Sequence, residues 1–241
     1  MNELESYFRA NTGRLIHKWE HYFEIYDRHF ARFRGREVNV LEIGVYQGGS
    51  LQMWKHYFGP KARIFGMDIN PACSTLAEER IKIYIGDQSD RSFLRTTAQD
   101  IGRIDVLIDD GGHEMNQLTT TFEELFPRVD ANGVYLAEDL HTCYWPAYGG
   151  GFLKPASFIE YSKRLIDQLN AWHAQKKSAL HVDDFTRSAH SMHYYDSILA
   201  IEKRPISEPS HSQTGEAQLP AFTPPQRKRT GSWFRRMGWG G

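Results

Sequence analysis

Two short segments concentrate the side chains that could do chemistry. IDDGGH carries Asp109 and Asp110, with His113 three residues beyond the second acid, and LAEDLH carries Glu138, Asp139 and His141. Each closes an apolar run of strand length, so the acids fall at strand ends. Tips of adjacent strands lie only ~5 to 10 Å apart. Several carboxylates in that space repel one another unless a cation, a proton or a basic side chain sits among them. A hard dication is the simplest answer, and all-oxygen ligation with water completing the shell suits Mg2+ or Mn2+ better than Zn2+. Capping of a following helix, or plain exposure to water, is the alternative for any single acid of the set.

A second group has a different character. LEIGVYQGGS places Glu42 inside an apolar run, Gly44 where the chain leaves it, and Gly48 and Gly49 where a helix begins. Such a turn lets backbone approach a ligand closely and present helix N-terminal amides. It is not the G-x-G-x-x-G of a dinucleotide fold, because Tyr46 stands where the second glycine would be. Asp68 ends the next run, where an acid can accept both hydroxyls of a ribose or cap a helix. Asp87, followed by Gln88 and Ser89, is placed to meet an adenine amino group or to cap the helix beginning near Ser89.

The elements that must position these residues follow from periodicity. VNVLEIGV (38–45), RIFGMDI (63–69), IKIYIGD (81–87), IDVLIDD (104–110) and GVYLAEDL (133–140) are short, β-rich and separated by helical segments. They predict an α/β fold with a doubly wound, mostly parallel sheet. Ligands of such sheets bind beyond the carboxyl ends of the strands, near the switch in strand order, so the acids should converge on one rim. Residues 1–34 carry Leu4, Phe8, Leu15, Trp19, Tyr22, Phe23 and Tyr26 at three- and four-residue spacing, which predicts one or two amphipathic helices as an N-terminal cap. The loop HTCYWPAYGGGFLKP leads to a helix expected from about Ala156 to Gln175, and its His141, Tyr144, Trp145 and Tyr148 could stack on a sugar ring, close a lid, or simply pack. Runs at 179–185 and 192–203 alternate well enough to predict an antiparallel terminal pair that finishes the sheet.

The main domain is thus expected at 35–204. Residues 205–241 read as a disordered linker and a basic aromatic tail, RKRTGSWFRRMGWGG, which either makes a weak membrane or protein contact through 226–241 or has no dedicated partner. With 241 residues, 40% of them hydrophobic, and a formal net charge of −1, the chain can bury one sizeable core and has no overall pull toward nucleic acid. A small or neutral substrate is expected. Cys73 and Cys143 make no disulfide framework, the N-terminus lacks a basic stretch followed by an apolar run, and no window nears the ~20 apolar residues of a membrane span, so a cytoplasmic protein is expected.

In order and spacing, the glycine-rich turn, the acid ending the second strand and the G-D ending the third resemble the class I S-adenosylmethionine-dependent methyltransferases, over roughly residues 38–203. The resemblance implies a Rossmann-like sheet with Glu42, Gly44 and Gly48 around the methionine part of the cofactor, Asp68 on the ribose, and Asp87 with Gln88 near the adenine. Asp109 joins this cofactor set. A rim of carboxylates also suits a cationic sulfonium nucleoside better than a pyrophosphate. D-x-x-H followed by E-D, extended by EDLHTCYWPAYGGG, is similar to the metal-dependent sugar O-methyltransferases of macrolide biosynthesis and to the related cephalosporin hydroxylase-like family. By that resemblance Asp110, Glu138 and Asp139 ligate Mg2+ (or Mn2+), His113 is the general base, and the acceptor is a hydroxyl of a sugar or glycosylated natural product. Hydroxylation is the rival enzyme reading, disfavoured because three acids do not make the 2-His-1-carboxylate set of Fe(II) oxygenases. A non-catalytic protein that recruits a partner through its tail is the other, and acids at every expected strand tip argue against it.

Overall fold

In the computed structural model, which describes residues 1–176 and 179–223, the five expected runs form β1 (Asn39–Ile43), β2 (Arg63–Asp68), β3 (Ile81–Ile85), β4 (Ile104–Asp109) and β5 (Val129–Ala137). Two more strands, β6 (Ala189–Tyr195) and β7 (Ile198–Lys203), complete one sheet in the order β3-β2-β1-β4-β5-β7-β6. The first five strands are parallel, and β7 is antiparallel to both β5 and β6.

Helices cover both faces, which is why β1 and β4 are buried along their whole length and read as unbroken apolar runs. On one face, Val40, Val106, Ile108, Val134 and Leu136 pack with α1 (Glu3–Ala10), α2 (Tyr22–Phe30) and α3 (Gly49–Phe58). There Tyr26 meets Trp54 edge-on at 5.1 Å and stacks on Phe30 at 5.9 Å. On the other, Leu41, Leu107 and Tyr135 pack with α4 (Arg91–Ile101), α5 (Met115–Leu125) and α6 (Phe158–Leu169). Each fully buried large side chain contributes roughly 1.5–3 kcal/mol. Strand order reverses between β1 and β4, and the chain leaving β1 passes so close to β4 that a Cβ on Gly44 (φ +93°) would collide with the carbonyl of Asp110. Only glycine fits that turn.

Three elements differ from expectation. The helix expected over 156–175 is α6 alone, started by the Ser157 hydroxyl accepting from the Glu160 amide and stopped at Asn170. The run at 179–185 is not a strand: Asp183 and Thr186 cap each other through side chain and backbone and nucleate a short helix, α7 (Asp184–Ser188). The run at 192–203 turns at Asp196 and Ser197, the latter at φ +64°, so both strands of the terminal hairpin come from residues 189–203. Within the cap, residues 11–21 between α1 and α2 are neither helix nor strand.

The chain divides into residues 1–208, which are compact, and a second stretch, 209–241. The described part of the second, 209–223, has no helix or strand, and the contact expected of 226–241 lies outside the described residues. Among the described residues no helix is long and apolar enough to cross a membrane.

Candidate active site

A cavity of about 370 Å³ opens at the switch point, lined by Gly44, Asp68, Asp87 and Gln88 among others. Asp68 closes the turn after β1: its Oδ2 accepts from the amides of Val45 (2.8 Å) and Tyr46 (3.1 Å), its Oδ1 from Asn70 (2.8 Å). Asp87 accepts the Ser89 amide and hydroxyl, both at 2.7 Å, while Asp90 caps α4. Gln88 is buried and braces the floor, donating to Asp109 (2.6 Å) and Thr121 (3.0 Å) and accepting from the Gly112 amide.

The other three residues expected at the cofactor sit behind the wall instead of on it. Asp109 is wholly buried; burial, with Asp110 adjacent, pushes its carboxyl up to about 8. Glu42 alternates to the α3 face, where it accepts from Ser50 Oγ (2.6 Å) and Trp54 Nε1 (3.0 Å). Gly48, at φ +72°, begins α3 beneath Leu76.

Beside the cavity, Asp110, His113 and Asp139 each bring one ligand-type atom within 4.8 Å of the others. His113 Nε2 lies 3.7 Å from Asp110 Oδ1 and 3.5 Å from Asp139 Oδ2. His113 and Asp139 both adopt left-handed backbone (φ +56° and +53°), a conformation costing such residues on the order of 1 kcal/mol or more and often found at functional sites. Burial lowers the His113 pKa, against the opposing pull of Asp110 and Asp139, so the imidazole is neutral at neutral pH. Glu114, not His113, caps α5.

Glu138 lies outside that trio, drawn instead to a residue the sequence did not single out. Lys18, its side chain 3% exposed, places Nζ 2.5 Å from Asp110 Oδ2, 2.9 Å from Glu138 Oε2 and 3.5 Å from Glu42 Oε1. Burial works against its charge, but Asp110, Glu138 and Glu42 outweigh it and hold the ammonium well above the ordinary lysine range. Burial and Asp110 push the Glu138 carboxyl up despite Lys18. Of the three ways to keep the acids together, a basic side chain is therefore present. Its only trace in the sequence is a lysine between His17 and Trp19 in a segment whose apolar spacing predicts helix.

The arrangement still fits a hard dication. Lys18 takes one oxygen from Asp110 and one from Glu138, and the Tyr22 hydroxyl takes Asp139 Oδ1 at 2.7 Å. Among the described residues Asp110 Oδ1 and Asp139 Oδ2 then face only His113, and Glu138 Oε1 is buried without a hydrogen-bond partner. A second cavity, about 240 Å³, reaches Lys18, His113 and Asp139 and shares Gly44, Tyr46, Asp110 and Gly111 with the first. Near its rim Trp19 meets His141 edge-on at 5.8 Å and His141 meets Trp145 at 4.7 Å, with His141 held by Ser197 Oγ at 2.6 Å. A different cluster, His29, His193 and Glu202, lines neither cavity, and both ring nitrogens of His29 are engaged, by Glu202 (2.9 Å) and Tyr195 (3.0 Å).

A parallel sheet that reverses between its first and fourth strands, with a cavity at that point, is the architecture of the class I S-adenosylmethionine-dependent methyltransferases, and the chain belongs to that class. Within it, the chain is similar to several O-methyltransferases. It is 39% identical over 191 residues to the 8-demethyl-8-alpha-L-rhamnosyl tetracenomycin-C 2'-O-methyltransferase of Streptomyces olivaceus, covering 76% of this chain and 50% of that protein. It is 38% identical over 220 residues to the demethylmacrocin O-methyltransferase of Streptomyces fradiae, covering 86% and 54%. A solved relative, the MycE methyltransferase from the mycinamycin biosynthetic pathway in complex with Mg and SAH, superposes with a TM-score of 0.74 at 35% identity over 84% of this chain and 54% of that one. No protein-family model matches. The chain spans about half the length of these relatives.

Proposed function

We propose that the chain transfers a methyl group from S-adenosylmethionine to a sugar hydroxyl of a glycosylated small molecule, in a reaction that depends on Mg2+ (or Mn2+). The observation that carries this reading is the pair of cavities meeting at Asp110, one suited to a nucleoside and the other lined by His113, Asp110 and Asp139. Relatives named as O-methyltransferases of a rhamnosyl tetracenomycin and of mycinamicin VI, and a solved relative complexed with Mg, SAH and mycinamycin VI, support it.

When bound, S-adenosylmethionine supplies an electrophilic methyl group and the dication supplies Lewis acidity that lowers the pKa of an acceptor hydroxyl. Asp110 and Asp139, with Glu138, would hold the dication through the oxygens that Lys18 and Tyr22 leave free. His113 takes the hydroxyl proton at Nε2, the nitrogen facing Asp110 and Asp139. A positioned base of this kind is worth roughly 10²–10⁴ in rate. Asp68 and Asp87 orient the donor, and the remaining acceleration comes from holding two reactants in line. The acidic rim favours a sulfonium over the neutral thioether left after transfer, so the chain's own charges assist product release.

Calorimetric titration of S-adenosylmethionine and Mg2+ into the wild type and Asp110→Ala tests this. Both ligands should bind the wild type, and Asp110→Ala should lose about tenfold or more in metal affinity while holding the nucleoside nearly as well. A wild type that binds neither ligand refutes the reading, and an Asp110→Ala protein with unchanged metal affinity refutes the ligand set. Screening glycosides for labelled methyl incorporation then identifies the acceptor.

A further inference from the structure

Lys18 reaches the strand tips from 92 and 120 residues away in sequence, on a segment that is neither helix nor strand. That segment is nonetheless pinned. Asn11 Nδ2 donates to the Arg14 carbonyl (2.8 Å), Arg14 donates to the Leu76 carbonyl (2.9 Å) and pairs with Glu78 (3.2 Å). The carbonyls of Arg14 and Leu15 lie against Gly49, where any Cβ would collide with them. A fixed backbone thus aims the lysine stem at three carboxylates. An ammonium has three donors, and Asp110 Oδ2, Glu138 Oε2 and Glu42 Oε1 surround it. The second oxygen of each acid is used differently: Glu42 Oε2 accepts Ser50, Asp110 Oδ1 faces His113, and Glu138 Oε1 is buried with no partner.

We propose that Lys18 is a positioning residue that serves as the resident cation of the metal site. It ties down one oxygen of Asp110 and one of Glu138, leaving only the other oxygen of each to a divalent ion, and by sharing the negative charge it holds that ion's affinity down. The inference rests on the metal reading above. A dication entering the cluster meets a charge of its own sign only a few ångströms away, where like charges repel strongly even at protein-like dielectric. Without Lys18 the two acids are free to turn, to chelate through both oxygens, and to rely on the metal alone for neutralisation. Removing it should therefore tighten metal binding while spoiling the geometry needed for methyl transfer. A side chain with a purely structural role would weaken both together.

The test uses the full chain, with Mn2+ binding followed by the paramagnetic resonance of the free ion, SAH binding by calorimetry, and methylation at saturating metal. Lys18→Met should bind Mn2+ about tenfold or more tightly than wild type, with lower kcat, because one like charge is gone. Its metal-free melting temperature should fall and recover with Mn2+, since buried carboxylates lose their partner. SAH affinity should hold within about threefold, because Ser50 and Trp54 keep Glu42 in place. Lys18→Arg should return Mn2+ affinity to near the wild-type value. If Lys18→Met fails to accumulate as folded protein, Lys18→Met/Glu138→Gln, which removes one charge of each sign, should restore folding, and a double variant no more stable than the single one overturns the proposal. So does a folded Lys18→Met protein with unchanged or weaker Mn2+ binding. A wild type that binds neither Mn2+ nor Mg2+ sinks the metal reading and this inference together, whereas a wild type that binds Mn2+ beside an unaltered Lys18→Met sinks the inference alone.

Discussion

At the switch-point cavity, Asp68 is half-buried and Asp87 exposed, and both spend their oxygens on amides and a hydroxyl of nearby turns. At the carboxylate cluster, Glu138 and the Lys18 side chain are almost fully buried and satisfy each other across 120 residues of chain. The first region is a repeated local device, an acid closing the turn at a strand tip. Each copy stands nearly alone, and the loss of one hydrogen bond to a charge there costs about 1.5–3 kcal/mol. The second is a charge balance in which no member is independent, and stripping one partner from a buried pair costs about 3–5 kcal/mol. Asp110 belongs to both.

Separating the two regions is the way to break this contrast. The largest effect is expected from His113→Ala, which should lower kcat by roughly 10²–10⁴ while SAH binds as before. Single-turnover transfer of a labelled methyl group measures the first and calorimetry the second; loss of SAH binding would mean the regions are not separable. Gly44→Ala should injure both at once, because its Cβ meets the Asp110 carbonyl and its φ is +93°. A loss of about 1–3 kcal/mol in denaturant midpoint, with weakened binding of both ligands, is expected. Tyr22→Phe removes the hydroxyl from Asp139 Oδ1 and should shift metal affinity by about tenfold or less, leaving SAH affinity unchanged. The smallest effect is in pH. Burial disfavours the imidazolium of His113, so its neutral, proton-accepting form persists below the ordinary histidine range, and the acid limb of kcat should lie below about pH 6.5. An acid limb above that value would show that another group limits the rate.

The contrast also explains what the sequence made legible. Strand tips are local: a β-rich run ending in an acid announces both the strand and the place its acid will occupy, so β1 to β5, Gly44, Asp68, Asp87, Asp110 and Asp139 could be placed from spacing alone. The spacing puts Glu42 within the first strand and Asp109 at the tip of the fourth, but period-two alternation and packing point their side chains behind the cavity wall. Lys18 could not be found this way, since its hydrogen-bond partners are 92 and 120 residues off and its own segment, spaced like a helix, is neither helix nor strand. Residues 179–203 misled for a related reason. Their alternation is real, yet the Asp183 cap and the left-handed Ser197 outrank it, and both act through hydrogen bonding and backbone conformation that a hydrophobic pattern does not register.

The pinned segment that carries Lys18 also fixes an order of events in the life of the chain. Synthesis delivers the lysine 120 residues ahead of Glu138, an interval of roughly 6 to 24 s at ordinary elongation rates. Until the fifth strand emerges and pairs, the ammonium lacks Glu138, one of its three carboxylate partners. The cavity at the switch point draws its lining from β1 to β4, their turns and α5, all ahead of β5 in the chain. The three-carboxylate cluster is therefore complete only in a chain whose N-terminal segment has docked onto a sheet that includes β5.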